Sequence, residues 1–227
     1  MRAELKGFLF DFDETIVYSN MDHVKSYIMA GKRYGLKITK RQILERFGKS
    51  AINILAELFP EMTDEEIIEM RNLKERIYRQ IISKKDIKTI AGIEELLKFL
   101  KANRVKVGIV SSASIKNIRI GLRENKLTKY FDAIVCVENS KRHKPNPDPV
   151  LKGARMLGLK PRQCAMIGDS MYDVIAARRA KTLPLGLTTG YYSEMQLKFN
   201  GAKRCFGNHR EVLSRLSPSK NSVSIDL

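Results

Sequence analysis

The sequence has few of the features of secreted or membrane proteins. Its 227 residues include only three cysteines, Cys136, Cys164 and Cys205, which lie far apart. Such a set builds neither a disulfide framework nor a Cys-x-x-Cys metal knuckle. No run approaches the ~18 apolar residues of a membrane-spanning helix, and the N-terminus shows no apolar signal region. We therefore expect a protein of a reducing compartment, most simply the cytoplasm, with no membrane partner.

Acidic side chains are few beside basic ones. The chain has 42 Lys+Arg and 25 Asp+Glu, a formal net charge of +17, and residues 88–227 carry most of the excess. A positive field attracts anionic ligands such as phosphorylated metabolites or nucleic acid. A solvated lysine-rich surface has the same composition. The charge by itself does not choose between these interpretations.

Strand and helix patterns alternate over most of the chain. The apolar run 5–10 favours a strand buried on both faces, as in a parallel sheet covered by helices. Further strands are predicted at 105–110, 133–137, 163–167 and 183–187, and helices at 93–103, 114–125, 147–157 and 170–181. This alternation predicts an α/β fold with a parallel sheet.

The segment between the first two predicted strands has a different pattern. Apolar residues recur there at helical spacings, and Thr63 with Glu66 forms a capping box. We therefore predict a discontinuous α/β core made of residues 1–15 and 88–227, into which residues 16–87 insert a helical cap. Residues 217–227 are short, polar and rich in serine, and we expect a flexible tail there.

Four aspartates follow predicted strands. Asp11 and Asp13 are two residues apart, so side-chain alternation can direct both carboxylates to one place. Like charges so close are costly unless a cation lies between them or one of them is protonated. Asp169 follows a later strand, and Asp173 also fits a capping box with Ser170.

Two further segments favour anion binding. Ser111 ends a predicted strand, and with the backbone amides of Ser112 and Ser114 at a helix start it can cradle an anion; Ser114 also fits a simple N-cap. Lys144 precedes three prolines in five residues, which fix the origin of its side chain. No aromatic residue interleaves this basic segment, so we do not expect it to bind nucleic acid.

Together and in this order, these segments resemble the four motifs of the haloacid dehalogenase (HAD) superfamily. They are Asp-x-Asp-x-Thr, a strand-end serine, Lys-Pro-x-Pro-Asp-Pro and Gly-Asp-Ser-x-x-Asp. The helices after the first motif resemble the phosphatase branch with a helical (C1-type) cap, related to phosphoglycolate phosphatase and β-phosphoglucomutase. The resemblance implies a Rossmann-like core and Mg²⁺-dependent hydrolysis of small phosphate monoesters through an aspartyl-phosphate. The second aspartate argues against the dehalogenases, which lack it.

The resemblance also implies a role for each motif residue. Asp11 is expected to be the nucleophile, and Asp13 the general acid and then base, which requires a raised pKa. Ser111, Ser112 and Lys144 are expected to bind the phosphoryl group, with Lys144 countering its charge during transfer.

Magnesium is the cofactor that the resemblance implies. The expected metal site consists of Asp11, Asp13 through its backbone carbonyl, Asp169 and Asp173, the last supporting metal-bound waters or orienting Lys144.

Three more residues complete the sequence-based interpretation. Lys49 lies in a segment that resembles the substrate-contacting cap loop, although a surface lysine in a helix–helix turn fits it equally well. Glu14 replaces a glycine common in the family, and its effect stays open. We interpret His23 as a packed or solvated histidine.

The expected partner is a small phosphorylated metabolite, and a monomer is favoured. A phosphomutase of the β-phosphoglucomutase type, using the same intermediate, is the alternative function. A basic nucleic-acid-binding module is a third interpretation, which the converging aspartates argue against. The sequence does not name the substrate.

Overall fold

A four-residue apolar strand lies at the centre of the structure, which is a computed structural model describing residues 2–227. The nine strands of these residues are β1 (Arg2–Leu5), β2 (Gly7–Phe10), β3 (Lys106–Val110), β4 (Ala133–Val135), β5 (Cys164–Gly168), β6 (Leu183–Leu187), β7 (Arg204–Phe206), β8 (Leu216–Ser219) and β9 (Ser222–Asp226). The ten helices are α1 (Asn20–Arg33), α2 (Lys40–Leu44), α3 (Ala51–Leu58), α4 (Asp64–Ile82), α5 (Ile93–Ala102), α6 (Ile115–Glu124), α7 (Asp148–Met156), α8 (Met171–Ala180), α9 (Glu194–Phe199) and α10 (His209–Leu213). None of the helices within 2–227 has both the length and the apolar composition to cross a membrane.

Six strands form one parallel sheet in the order β4-β3-β2-β5-β6-β7. Alternate residues of β2 enter two different cores, Phe8 and Phe10 on one face and Leu9 on the other. This is the period of two that a strand imposes on its side chains. The α/β fold with a parallel sheet, predicted from the strand–helix alternation, is confirmed. Because β2 lies between β3 and β5, the carboxyl ends of these three strands are neighbours.

Helices α1 to α4 pack around a hydrophobic cluster of their own, which includes Val24, Tyr27 and Met70. Two chain segments connect these helices to the sheet, and they run side by side. The Tyr18 backbone N–H donates to the Lys88 carbonyl at 2.9 Å. A separate cluster and a paired connection support our proposal that 16–87 form an inserted cap on a core of 1–15 and 88–227.

The C-terminal residues are not a flexible tail, and that prediction is wrong. Strands β8 and β9 pair with each other, and β9 also pairs with β1, in a three-stranded antiparallel sheet. Val223 and Ile225 alternate along β9 and are fully buried. The segment has only three apolar residues, Val223, Ile225 and Leu227, and one of the two partner strands of β9 lies more than 200 residues earlier in the chain. A local pattern therefore could not reveal the pairing.

Candidate active site

Three neighbouring strands place polar side chains at one edge of the sheet. Asp11 follows β2, Ser111 follows β3, and Asp169 follows β5, all at the carboxyl ends of the strands. Each side chain belongs to a residue that is 5% exposed or less. The edge that general principles assign to ligands in open parallel sheets is therefore the one that carries these residues.

Lys144 reaches this edge from the loop before α7. Its Nζ donates to Asp11 Oδ1 at 2.8 Å, to Asp173 Oδ1 at 2.5 Å and to the Val110 carbonyl at 3.1 Å. All three donors of the ammonium group are thus used. Burial would lower the pKa of Lys144, but the carboxylates of Asp11 and Asp173 outweigh burial and raise it. Lys144 is therefore a fixed positive charge at the strand ends.

The site holds more negative charge than this lysine balances. One carboxylate oxygen each from Asp11, Asp169 and Asp173 lies within 4.8 Å of the others. Burial, followed by repulsion from Asp173, raises the pKa of Asp11 to about 7. Burial and the charges of Asp173 and Asp11 likewise raise the pKa of Asp169 well above its ordinary value. These shifts indicate that the Lys144 ammonium offsets only part of the negative charge of the cluster.

The residues present fit a magnesium ion. The cluster offers only oxygen atoms, the ligands that Mg²⁺ prefers. Asp173 already accepts bonds at both oxygens, from Lys144 and from the backbone and hydroxyl of Ser170. Asp11 and Asp169 therefore have the freer oxygen atoms. Gly190 makes room for the Oδ2 atom of Asp169, because a Cβ on residue 190 would lie 1.9 Å from that atom. Sequence reasoning missed this glycine, which no motif contains.

Asp13 does not join the acidic cluster through its side chain. Its Oδ1 accepts from the Ser19 hydroxyl at 2.6 Å and lies 3.2 Å from His23 Nε2. Burial would raise the pKa of Asp13, but the charge and hydrogen bond of His23, the Ser19 bond and the charge of Lys74 together lower it. The expectation of a raised pKa for Asp13 is thus wrong in this arrangement. A metal contact through its backbone carbonyl stays a prediction.

His23 is packed, as the sequence-based interpretation allowed, and its ring also reaches the site beside Asp13. Its ring stacks on Tyr78 with centroids 3.8 Å apart, and its Nδ1 lies 2.8 Å from Lys74 Nζ. These contacts hold the imidazole between α1 and α4 with its other nitrogen toward Asp13. No local pattern indicated this, because Lys74 follows His23 by 51 residues.

Glu14 has a structural role at the start of the cap. One carboxylate oxygen accepts the backbone N–H groups of Ser19 and Asn20, each at 2.8 Å, at the N-terminus of α1. A negative charge at that end of a helix is favourable. Glu14 adopts φ 52°, in the left-handed region where glycine is usual. The substituted carboxylate thus ties the connecting segment to the first cap helix.

The cap loop, residues 46–50, closes over the sheet edge. The Ser112 hydroxyl donates to the Gly48 carbonyl at 2.8 Å, so this hydroxyl joins cap to core. The Lys49 ammonium pairs with Glu57 and lies 5.4 Å from the centre of the Tyr172 ring. Below the loop is a central cavity of about 50 Å³, whose walls include Asp11, Asp13, His23, Lys49, Ser111 and Asp169. Lys49 and Ser112 line the cavity, and their phosphate contacts stay predictions.

Comparison with known proteins decides the family. The model of the haloacid dehalogenase-like hydrolases matches residues 8–185. The chain belongs to this family. The match runs from the second residue of β2 to the middle of β6, and so includes all the motif residues described above.

Similar proteins carry phosphatase and phosphomutase names. A Clostridium perfringens protein that bears the PpaX pyrophosphatase name is 30% identical over 184 residues, 81% of this chain and 84% of its own. The structure of a hydrolase from Pseudomonas syringae matches with a TM-score of 0.85 and 28% identity, over 92% of this chain and 96% of its own. The β-phosphoglucomutase of Clostridium difficile shares the fold, with a TM-score of 0.83 and 23% identity, over 92% of this chain and 93% of its own. The chain is thus a HAD-like phosphatase, and the resemblance drawn from the motifs is confirmed.

Proposed function

We propose that the protein hydrolyses small phosphate monoesters with Mg²⁺, through an aspartyl-phosphate formed on Asp11. The observation that carries the proposal is the meeting of Lys144 with the buried carboxylates of Asp11 and Asp173, within reach of Asp169. A nucleophilic carboxylate beside a fixed ammonium suits attack on an anionic phosphoryl group, because the ammonium offsets the charge of the transferred group.

The reaction has two halves. In the first, an oxygen of Asp11 bonds to phosphorus while the bond to the leaving oxygen breaks, and a proton passes from Asp13 to that oxygen. In the second, Asp13 takes a proton from water, the water oxygen bonds to phosphorus, and the bond to Asp11 breaks to release phosphate. Because its pKa is lowered, Asp13 is held as the unprotonated carboxylate, which is the form that accepts a proton in the second half. Its side chain is 20% exposed, so solvent can supply the proton that the first half requires.

The remaining residues hold the participants in place. Ser111 lines the central cavity beside Asp11 and is placed to bind the phosphoryl group. Asp173 orients Lys144 through the 2.5 Å contact. Asp11 and Asp169 would hold Mg²⁺, which when bound supplies positive charge to the phosphoryl oxygens.

The test is release of phosphate from p-nitrophenyl phosphate and from a panel of phosphorylated metabolites. Inorganic pyrophosphate belongs in the panel because relatives carry the pyrophosphatase name. We expect the Asp11→Asn variant and the EDTA-treated enzyme to be inactive. Asp86→Asn, the same change at an exposed residue, serves as the matched control. A fully active Asp11→Asn enzyme would contradict the proposal.

A phosphomutase is the second candidate. The closed cap loop and the small central cavity favour it, because a mutase must keep water from the aspartyl-phosphate. Incubation with β-glucose 1-phosphate separates the two functions. A mutase yields glucose 6-phosphate, whereas a hydrolase yields free glucose and phosphate.

A further inference from the structure

A second, larger opening lies beside the central cavity. It has a volume of about 320 Å³, and Arg71, Arg76 and Arg79 of α4 face Lys116 of α6 across it. We call these four residues and the space between them the basic cleft. Glu75 lines both the basic cleft and the central cavity, so the two openings share this side chain.

The positive charge of the basic cleft is largely unpaired. Residues 72, 75, 76 and 79 share one helical face, which places two of the arginines side by side. Within residues 2–227, no carboxylate lies within 4.0 Å of the charged groups of Arg71, Arg76 or Lys116. Arg71 Nε is buried and has no hydrogen-bond partner among residues 2–227. A buried donor without an acceptor is costly, and an anion would satisfy it.

The two acidic residues of the cleft are partly engaged. Glu75 Oε2 lies 3.7 Å from Arg79 Nη1, so one of the four cations of the basic cleft has an acidic partner. Glu75 bonds to Lys74 at 3.0 Å and to Asn117 at 2.6 Å. Glu138 Oε2 accepts the Ile115 backbone N–H at 3.0 Å, at the start of α6. Their charges are thus partly offset, and the cleft as a whole stays positive.

We propose that the basic cleft binds a phosphate-type anion that bridges the cap helix α4 and the core helix α6. Arginine guanidinium groups bind phosphate oxygens through paired, charge-assisted hydrogen bonds. The Ser114 hydroxyl lines the same space and donates to Glu75 at 3.4 Å. The ligand is either a second phosphate on the substrate, distant from the transferred one, or a free anion. The first source rests on the proposed function, whereas the second does not.

The experiment compares two triple variants with equal loss of charge. Arg76→Gln/Arg79→Gln/Lys116→Gln neutralises the basic cleft. Arg155→Gln/Arg162→Gln/Lys203→Gln removes three exposed charges elsewhere and is the control. Binding of inorganic pyrophosphate is measured by calorimetry with EDTA present, which prevents metal-dependent turnover. We expect the cleft variant to bind at least about tenfold more weakly than wild type, and the control to stay within about twofold.

Kinetics then distinguish the two sources of the anion. If the substrate supplies it, the cleft variant raises KM for fructose 1,6-bisphosphate and leaves KM for p-nitrophenyl phosphate unchanged. If a free anion is the ligand, both KM values stay unchanged and only pyrophosphate binding weakens. Equal pyrophosphate affinity and equal KM values in all three proteins would overturn the proposal. Cleft-dependent pyrophosphate binding in a protein without phosphatase activity would refute the proposed function and leave the anion site standing.

Discussion

Replacing Asp11 by asparagine should stabilise the metal-free protein at alkaline pH while removing its activity. The Asp11 carboxylate is only 5% exposed and shares its surroundings with the carboxylates of Asp169 and Asp173. Asparagine keeps nearly the same shape and cannot ionise. The change therefore isolates the free-energy cost of holding a negative charge at this position.

The sign and size follow from the pKa. Burial and the charge of Asp173 raise the pKa of Asp11 from 3.8 to about 7, so the folded protein holds this proton more tightly than the unfolded chain. Below pH ~4 Asp11 is protonated in both states, and its ionisation costs the folded protein no stability. The free energy of unfolding falls as the pH rises toward 7, and the cost of the ionised carboxylate is constant above that pH. The difference of about three pH units corresponds to about 4 kcal/mol. Allowing for relaxation and water entry, we expect Asp11→Asn to gain about 2–4 kcal/mol at pH ~8 and much less at pH ~4.5.

Urea unfolding with EDTA, at both pH values, measures this difference. Asp86→Asn, at an exposed position, is the control and should change the free energy of unfolding little at either pH. A second set of measurements adds Mg²⁺. At a hundred times its dissociation constant, Mg²⁺ should stabilise the wild type by about 2.7 kcal/mol, and Asp11→Asn should lose most of this effect.

Two results would refute the reasoning. If Asp11→Asn is less stable than the wild type at pH ~8, the bond from Lys144 outweighs burial and repulsion, contrary to the raised pKa. If the gain is the same at both pH values, it does not come from ionisation of Asp11.

Three further predictions concern other parts of the molecule. Gly190→Ala should weaken Mg²⁺ binding about tenfold or more, measured by calorimetry, because its Cβ displaces the Asp169 carboxylate; unchanged affinity would argue against Asp169 as a ligand. Glu14→Ala should destabilise the fold by about 1–2 kcal/mol through loss of the bonds to α1, whereas Glu14→Gln should retain most of the stability. Deletion of 217–227 should cost on the order of 3–6 kcal/mol, because it removes the buried side chains of Val223 and Ile225; wild-type stability in urea would contradict their packing role.

The central part of the fold could be predicted from local patterns. The strand–helix alternation located β3 to β6 and α5 to α8, with differences of one or two residues at their ends. The apolar run at 5–10 contains two strands, because the chain leaves β1 at Leu5 and enters β2 at Gly7. The short strands β1, β7, β8 and β9 were missed. Strands β1 and β9 pair across more than 200 residues, and β7 pairs with β6 across an intervening helix. Strand β8 pairs only with the adjacent β9. Three to five residues carry too little periodicity to reveal such strands.

The site was predicted in part. The motifs named Asp11, Asp169 and Lys144, and the structure brings all three together. They did not reveal His23, because its partner Lys74 comes from another helix. They also suggested the wrong direction for the pKa of Asp13, because this direction depends on charges of the cap that lie near it only after folding.

The sequence by itself determined the family, the parallel sheet and the chemistry of the strand ends, because each is written in residues that are neighbours or regularly spaced along the chain. Only the tertiary structure decided which charges meet. Lys144 and Asp11 are in contact at 2.8 Å although 133 residues separate them along the chain. Gly190, which leaves space for the Asp169 carboxylate, lies 21 residues from it. Electrostatic and steric effects act over a few ångströms of space, and separation along the chain does not report that distance.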